Sequence, residues 1–326
     1  MYNTPYHDQD LSPYSFLVTG GAGFIGSNVV SYLLRYKAKR VRVLDNFSTG
    51  YKENVQPFLE CANFELLEGD IRDLDTCKQA LMGMDYVSHQ AALGSVPRSI
   101  EDPATTHAVN ITGFLNMMIA LKESPHVKRM VYAASSSTYG NNTTLPKREG
   151  VIGKPLSPYA VTKYVNELYA GVFAHTYGTD TIGLRYFNVF GPGQSPKGPY
   201  AAVIPLFMQA LREGKAPTIH GDGKQTRDFT YVDNAVQANI ISFFADEEAS
   251  NEVFNIACGE RISVNALWDT LRTAAQSDLE PVYGPERVGD VRDSLADVSK
   301  AKRLLQFAPE VGVKEGLKRT WEYFNH

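Results

Sequence analysis

Eleven residues near the N-terminus, Phe16-Leu-Val-Thr-Gly-Gly-Ala-Gly-Phe-Ile-Gly26, limit what this chain can become. An apolar run breaks into glycines and resumes as an amphipathic stretch, which predicts a strand, a tight turn and a helix start. Gly20, Gly23 and Gly26 stand in G-x-x-G-x-x-G spacing, and without Cβ atoms they let the turn close and a pyrophosphate approach the backbone. The N–H groups at the helix start, beside Phe24 and Ile25, then favour an anion. A second strand, Val41-Arg-Val-Leu-Asp45, ends in an acid nineteen residues after Gly26. A carboxylate there accepts from adenosine ribose hydroxyls and repels a 2′-phosphate, so the pair predicts NAD rather than NADP.

Strands expected at 15–19, 41–45, 64–68, 86–90, 129–134 and 181–186 alternate with helical stretches, as a doubly wound parallel α/β sheet requires. Beyond the third strand Asp70 and Ile71 are placed to hold the adenine, and Asp70 could also cap the helix that begins near Leu74. After the fourth strand Gln90, Ala91 and Ala92 let backbone lie against the cofactor, while His89 is expected to be an ordinary core histidine. Gly94 and Ser95 open a turn-rich loop, 94–99, at the carboxyl edge of the sheet, where it would touch substrate. Two helices carry wide apolar stripes: 104–122 with Ile111, Phe114, Leu115 and Met118, and the one after Ala160 with Val165, Leu168, Tyr169 and Val172. These faces fit either packing on the sheet or a second subunit.

Composition narrows the class. A chain of 326 residues supports a full core and a second lobe. The net charge of −4, with no Lys/Arg-rich run, argues against nucleic acid. Three cysteines without C-x-x-C spacing point to a reducing, cytoplasmic setting and no structural metal. No stretch reaches the roughly eighteen apolar residues of a membrane span. Residues 1–13 are polar and read as a leader arm with no assigned role.

The fifth strand runs into Ala134-Ser-Ser-Ser-Thr-Tyr-Gly140, and Ser157-Pro-Tyr-Ala-Val-Thr-Lys163 follows. Tyr159 and Lys163, four apart, share one helix face, so the ammonium is expected to lower the phenol's pKa and to hold the nicotinamide ribose. The phenol would then take a proton from a sugar hydroxyl as hydride leaves the same carbon, with Ser135 bonded to the same oxygen.

This order of glycine turn, acid, serine strand end and Tyr-x-x-x-Lys resembles the nucleotide-sugar branch of the extended short-chain dehydrogenase/reductase family, from Phe16 onward. The resemblance implies a Rossmann-type domain from 14–185 with 236–259. It also implies a smaller UDP-sugar-binding lobe from 186–235 with 260–326, a cleft between the two, and a homodimer through the two apolar helices. It assigns Asn46 and Tyr186 to the cofactor, Asn188 and Arg227 to the diphosphate, Arg287 to the diphosphate and Asp290 to the ribose. Dehydratases of this branch carry Asp-Glu just after the serine or threonine, and decarboxylases a glutamate at the second position. Here Ser136 and Ser137 stand there, leaving oxidation at C4 and return of the hydride as the expected chemistry. Ser294 replaces a tyrosine common in the galactose epimerases. Runs 90–103, 133–139 and 200–205, the last with Val203 at the substrate, look like those of bacterial UDP-N-acetylglucosamine 4-epimerases. The expected activity is therefore NAD-dependent UDP-GlcNAc/UDP-GalNAc interconversion. A broad UDP-glucose epimerase, a UDP-uronate epimerase and a catalytically silent NAD-binding regulator remain as alternatives.

Overall fold

The structure is a computed structural model that describes residues 2–196, 201–286 and 292–325. Its first half runs β1 (Ser15–Thr19), α1 (Phe24–Arg35), β2 (Arg40–Asp45), β3 (Phe64–Glu68), α2 (Leu74–Leu81), β4 (Tyr86–His89), α3 (Val96–Glu101), α4 (Pro103–His107), α5 (Gly113–Lys122), β5 (Arg129–Ser135), α6 (Pro158–Tyr177) and β6 (Thr181–Tyr186). There follow β7 (Val189–Phe190), α7 (Val203–Glu213), β8 (Thr218–His220), β9 (Thr226–Arg227), β10 (Thr230–Tyr231), α8 (Val232–Phe243) and β11 (Val253–Ile256). The chain ends with β12 (Ile262–Ser263), α9 (Val264–Ala274), β13 (Val282–Gly284), α10 (Ser299–Leu304) and α11 (Val313–Asn325).

Seven parallel strands form the main sheet in the order β11-β6-β5-β4-β1-β2-β3. The chain reverses direction between β1 and β4, the place where a doubly wound sheet opens a crevice at its carboxyl ends. Strands such as Phe16-Leu-Val and Met130-Val-Tyr are buried on both faces, which is why they read as continuous apolar runs. One face packs on α1 and α8 and the other on α2, α5 and α6. A second core, with Phe207, Ile219, Trp268 and Leu317, belongs to the lobe formed by α7, α9, α11 and three two-stranded pairs.

Several expectations change on contact with the structure. Of the loop expected at 94–99, residues 96–99 are helical: Ser95 caps α3 by accepting from the Arg98 N–H at 3.2 Å, and Pro97 suits a first helical turn. Asp70 does not cap α2. Asp73 does, accepting from the Asp75 and Thr76 N–H groups, because it lies directly before Leu74. The helix expected over 104–122 is broken by a π turn at Ala108–Thr112. A seventh strand, β11, extends the sheet beside β6. Ala301, Leu305 and Phe307, from the segment assigned to the small lobe, join the core of the main sheet. The leader arm lies on α1, with Tyr2 and Leu11 buried and Tyr6 stacked on Tyr32 at 5.2 Å.

Candidate active site

The glycine turn forms one rim of a cavity of about 720 Å³ at the carboxyl ends of β1, β4, β5 and β6. A Cβ on Gly20, which sits at φ +69°, would lie 2.7 Å from the Ala91 nitrogen, and one on Gly26 would lie 2.2 Å from the Gly20 carbonyl oxygen. Only glycine allows this turn to close. Helix α1 begins at Gly23 with no side-chain cap, so its first N–H groups, beside Gly20, Gly23, Phe24, Ile25 and Gly26, are presented to the cavity.

A smaller recess on the far side of the turn contains Asp45, Asn46, Asp70, Ile71, Ala91 and Ala92, and it shares Gly20, Gly23, Gln90 and Ala92 with the larger cavity. The Asp45 carboxylate is buried and accepts from the Ala22 N–H at 2.9 Å and the Phe47 N–H at 2.8 Å; burial pushes its pKa up against those bonds. Asn46 donates to Asp70 at 2.8 Å. Hydrogen bonds from Arg72 hold the Asp70 carboxyl down at about 2, so it remains ionised. A glycine cradle, an uncapped helix start and an acid at the end of the second strand fit the pyrophosphate and adenosine halves of NAD.

At the other end the side chains of Tyr159, Lys163, Ser135, Ser136, Gln90 and Tyr186 meet. Pro158 and Ser157 start α6, the Ser157 hydroxyl accepting from the Ala160 N–H at 3.2 Å, so Tyr159 lies in the first turn and Lys163 one turn later. The Lys163 ammonium is directed at the backbone rather than at the phenol. Lys163 Nζ donates to the Ala133 carbonyl at 2.7 Å, and burial pushes Tyr159 above its ordinary value, opposed by its hydrogen bond with Ser135. Burial also brings Lys163 down to about 8 against the pull of Glu167. Ser137 donates to Ser135 through both its hydroxyl, at 2.9 Å, and its N–H, at 3.2 Å. The hydroxyl of Tyr186 accepts from Asn239 at 2.7 Å and donates to Gln90 at 3.4 Å, tying α8 to the cofactor end of the site.

Beyond these groups the same cavity is walled by Gly94, Ser95, Asn188, Arg227 and Ser294, and it shares Asn188, Val189, Gln194 and Arg227 with a further cavity of about 490 Å³ lined by Val203, Phe207, Ile219 and His220. Asn188 donates to the Asp228 carbonyl at 2.8 Å from a backbone at φ +39°. Arg227 donates to the Thr226 carbonyl at 2.9 Å and the Arg292 carbonyl at 2.8 Å, lacing β9 to the segment that carries Ser294. Arg287 and Asp290 lie outside the described residues. Sequence reasoning missed Asn110, in the π turn. Its side chain accepts from the Leu93 N–H at 2.8 Å and donates to the Leu93 carbonyl and to Thr162, pinning the backbone before Gly94 to α6. It also missed Lys147, on the cavity wall. His89 is buried with Nδ1 2.8 Å from the Thr19 hydroxyl, as a core histidine should be. Among the described residues no helix is long and apolar enough to cross a membrane.

Comparison with known proteins agrees with this geometry. The family model described as "NAD dependent epimerase/dehydratase family" matches residues 16–257. The putative UDP-glucose 4-epimerase of Methanocaldococcus jannaschii is 38% identical over 93% of this chain and 96% of its own length. A solved UDP-N-acetylglucosamine 4-epimerase from Methanobrevibacter ruminantium M1, in complex with UDP-N-acetylmuramic acid, superposes with a TM-score of 0.90 at 40% identity, covering 96% of this chain and 98% of that one. The UDP-glucuronic acid 4-epimerase of Bacillus cereus, in complex with UDP-glucuronic acid and NAD, gives 0.89 at 30% identity over 95% of this chain and 99% of that one. With its glycine turn, acid and Tyr-x-x-x-Lys helix in one cavity and this match across most of its length, the chain belongs to the NAD dependent epimerase/dehydratase family.

Proposed function

We propose that this protein is a UDP-sugar 4-epimerase whose substrates are UDP-GlcNAc and UDP-GalNAc. The observation that carries the choice of sugar is Ser294, a small side chain in the wall of the cavity that holds Tyr159 and Ser135. Its hydroxyl accepts from the Asp228 N–H at 3.4 Å, and a side chain this small leaves room for an acetamido group.

When bound, NAD would supply the acceptor for the C4 hydride and the donor for its return. In its phenolate form Tyr159 takes the C4 hydroxyl proton and returns it, and Ser135 bonds the same oxygen, its own hydroxyl oriented by Ser137. Lys163, fixed on the Ala133 carbonyl, holds the cofactor ribose beside that centre. Asn188 and Arg227, at the junction of the two cavities, take the diphosphate, and Val203 lies in the nucleotide end. With hydroxyls at Ser136 and Ser137, no carboxylate stands where water elimination requires one. The product is then the C4 epimer, which requires the 4-keto sugar to present its other face before it is reduced.

The same reading includes a homodimer. Val161, Leu168 and Val172 leave α6 exposed at 46%, 50% and 57%, an apolar stripe on the side of the helix away from the sheet.

The test is to incubate the purified protein, without added cofactor, with UDP-GlcNAc and separately with UDP-Glc, following the C4 epimers by NMR. UDP-GalNAc forming much faster than UDP-Gal is the expected result. UDP-Gal alone overturns the choice of sugar, and no epimer from either, even with added NAD, overturns the assignment of these substrates.

A further inference from the structure

Phe24, Asn28, Tyr32 and Tyr36 stand four residues apart, so they share one face of α1 and its C-terminal cap. The N-terminal arm is laid along that face. The Tyr36 hydroxyl donates to the Tyr2 carbonyl at 2.8 Å, and the Tyr32 hydroxyl accepts from the Tyr6 N–H at 2.7 Å. The rings of Tyr2, Tyr6 and His7 pack on Tyr32 with centres 5.3, 5.2 and 5.6 Å away. Of these contacts the one made by the Tyr2 side chain lies nearest the start of the helix. Its buried hydroxyl donates to Asn28 Oδ1 at 3.1 Å. Burial pushes the phenol well above its ordinary value, so it stays protonated and remains a donor.

Asn28 passes this contact on. Its Nδ2 donates to the Phe24 carbonyl at 2.9 Å, where the Ser27 hydroxyl also donates at 3.1 Å. The peptide unit that takes these bonds is the one whose N–H belongs to Ile25. Phe24 and Ile25 both line the large cavity at the uncapped start of α1, where the pyrophosphate of NAD fits. Hydrogen bonds in series polarise one another, so a donor on Asn28 Oδ1 strengthens the bond from its Nδ2, and bonds on the Phe24 carbonyl strengthen the Ile25 N–H as a donor. The same turn is where the two cores meet. Phe24 packs against the core of the smaller lobe, and a Cβ on Gly193, which follows β7, would come 4.0 Å from Asn28 Nδ2.

We propose that Tyr2 is a positioning residue for the cofactor: through Asn28 it holds and polarises the Phe24–Ile25 peptide, so that the N-terminal arm fastens the helix start that grips the NAD pyrophosphate. The arm thereby has a function of its own, although it lines neither cavity. The assignment concerns the cofactor and does not depend on which sugar is the substrate.

The test is the rate at which the NAD-loaded protein releases its cofactor into an excess of an NAD-consuming enzyme, with melting temperatures measured in excess NAD. Tyr2→Phe removes the hydroxyl and keeps the ring that holds the arm. It should release NAD about threefold to tenfold faster, the range set by one lost hydrogen bond, with its melting temperature little changed. Leu11→Ala empties a core position of the same arm and leaves Tyr2 on Asn28. It should melt lower and keep its release rate within about twofold of wild type. In an Asn28→Ala background Tyr2→Phe should add nothing, because the relay is already cut. A wild-type release rate in Tyr2→Phe overturns the proposal. So does release that merely follows melting temperature across Tyr2→Phe and Leu11→Ala, which would make the arm a stabilising cover, or a Tyr2→Phe effect that persists in full without Asn28. None of these readings requires turnover, so failure of the proposed epimerase activity would leave them intact.

Discussion

At the scale of single residues, most of the chemistry depends on what a side chain lacks. Ser136 and Ser137 lack a carboxylate and Ser294 lacks bulk, and the proposed epimerisation of an N-acetylated sugar rests on both. Ser294→Tyr should lower kcat/KM for UDP-GlcNAc by roughly tenfold or more through overpacking, while UDP-Glc changes by less than about threefold. Steady-state assays with both sugars check this, and equal loss on both would place Ser294 in the fold rather than in selection. Asp228 adds a pH effect. It is fully buried with Oδ2 accepting from the Ala296 N–H at 3.1 Å, and burial raises its carboxyl to about 7. Between about pH 4 and pH 7 the folded chain keeps a proton that the unfolded chain releases, so this residue's contribution to stability falls as pH rises. Asp228→Asn has no such proton, and denaturant unfolding at pH 5 and pH 8 should show it losing about 1–3 kcal/mol less than wild type across that interval. An identical pH slope in the two proteins would refute the shift.

Among the elements, α6 carries Tyr159 and Lys163, and it is held in place from two directions. A buried ion pair of Arg185 with Glu167, at 2.7 Å, fixes it to β6, and the Arg185 guanidinium lies 4.9 Å from the Tyr139 ring centre. The second tie is Asn110, which the π turn presents to Leu93 and to Thr162 on α6. Asn110→Ala leaves the buried Leu93 N–H and carbonyl without these partners and should cost about 1–3 kcal/mol in denaturant unfolding. Since Gly94 follows Leu93, KM for the UDP-sugar should rise several-fold with NAD retained. Unchanged KM together with lost stability would confine Asn110 to structure. Nothing in the residue pattern marks this position, because an asparagine inside an apolar helix looks like any surface polar residue until the turn that rotates it is known. Ser95 is different: serine two residues before proline is a legible helix start, and the turn-rich composition of 94–99 masked it.

For the whole molecule the open question is which face meets another. The stripe of Val161, Leu168 and Val172 is left uncovered by the chain's own sheet, while Ala160, Asn166 and Phe173 take the inner side of α6. Leu168→Glu combined with Val172→Glu should convert a dimer to a monomer in sedimentation velocity, with the secondary structure intact by circular dichroism. A wild-type monomer, or a variant that still dimerises, would rule this face out. The sequence by itself determined six of the seven sheet strands, the glycine turn, the acid at the end of β2 and the spacing of Tyr159 and Lys163, because each is written in local periodicity or in positions that one backbone conformation relates directly. Tertiary structure alone decided the rest: that Lys163 rests on the Ala133 carbonyl and burial raises Tyr159, that Asp73 rather than Asp70 caps α2, that residues 2–13 cover α1, and that Lys147 comes beside the strip bearing Ser294. Burial and long-range pairing depend on which distant segments come together, and no local pattern encodes that.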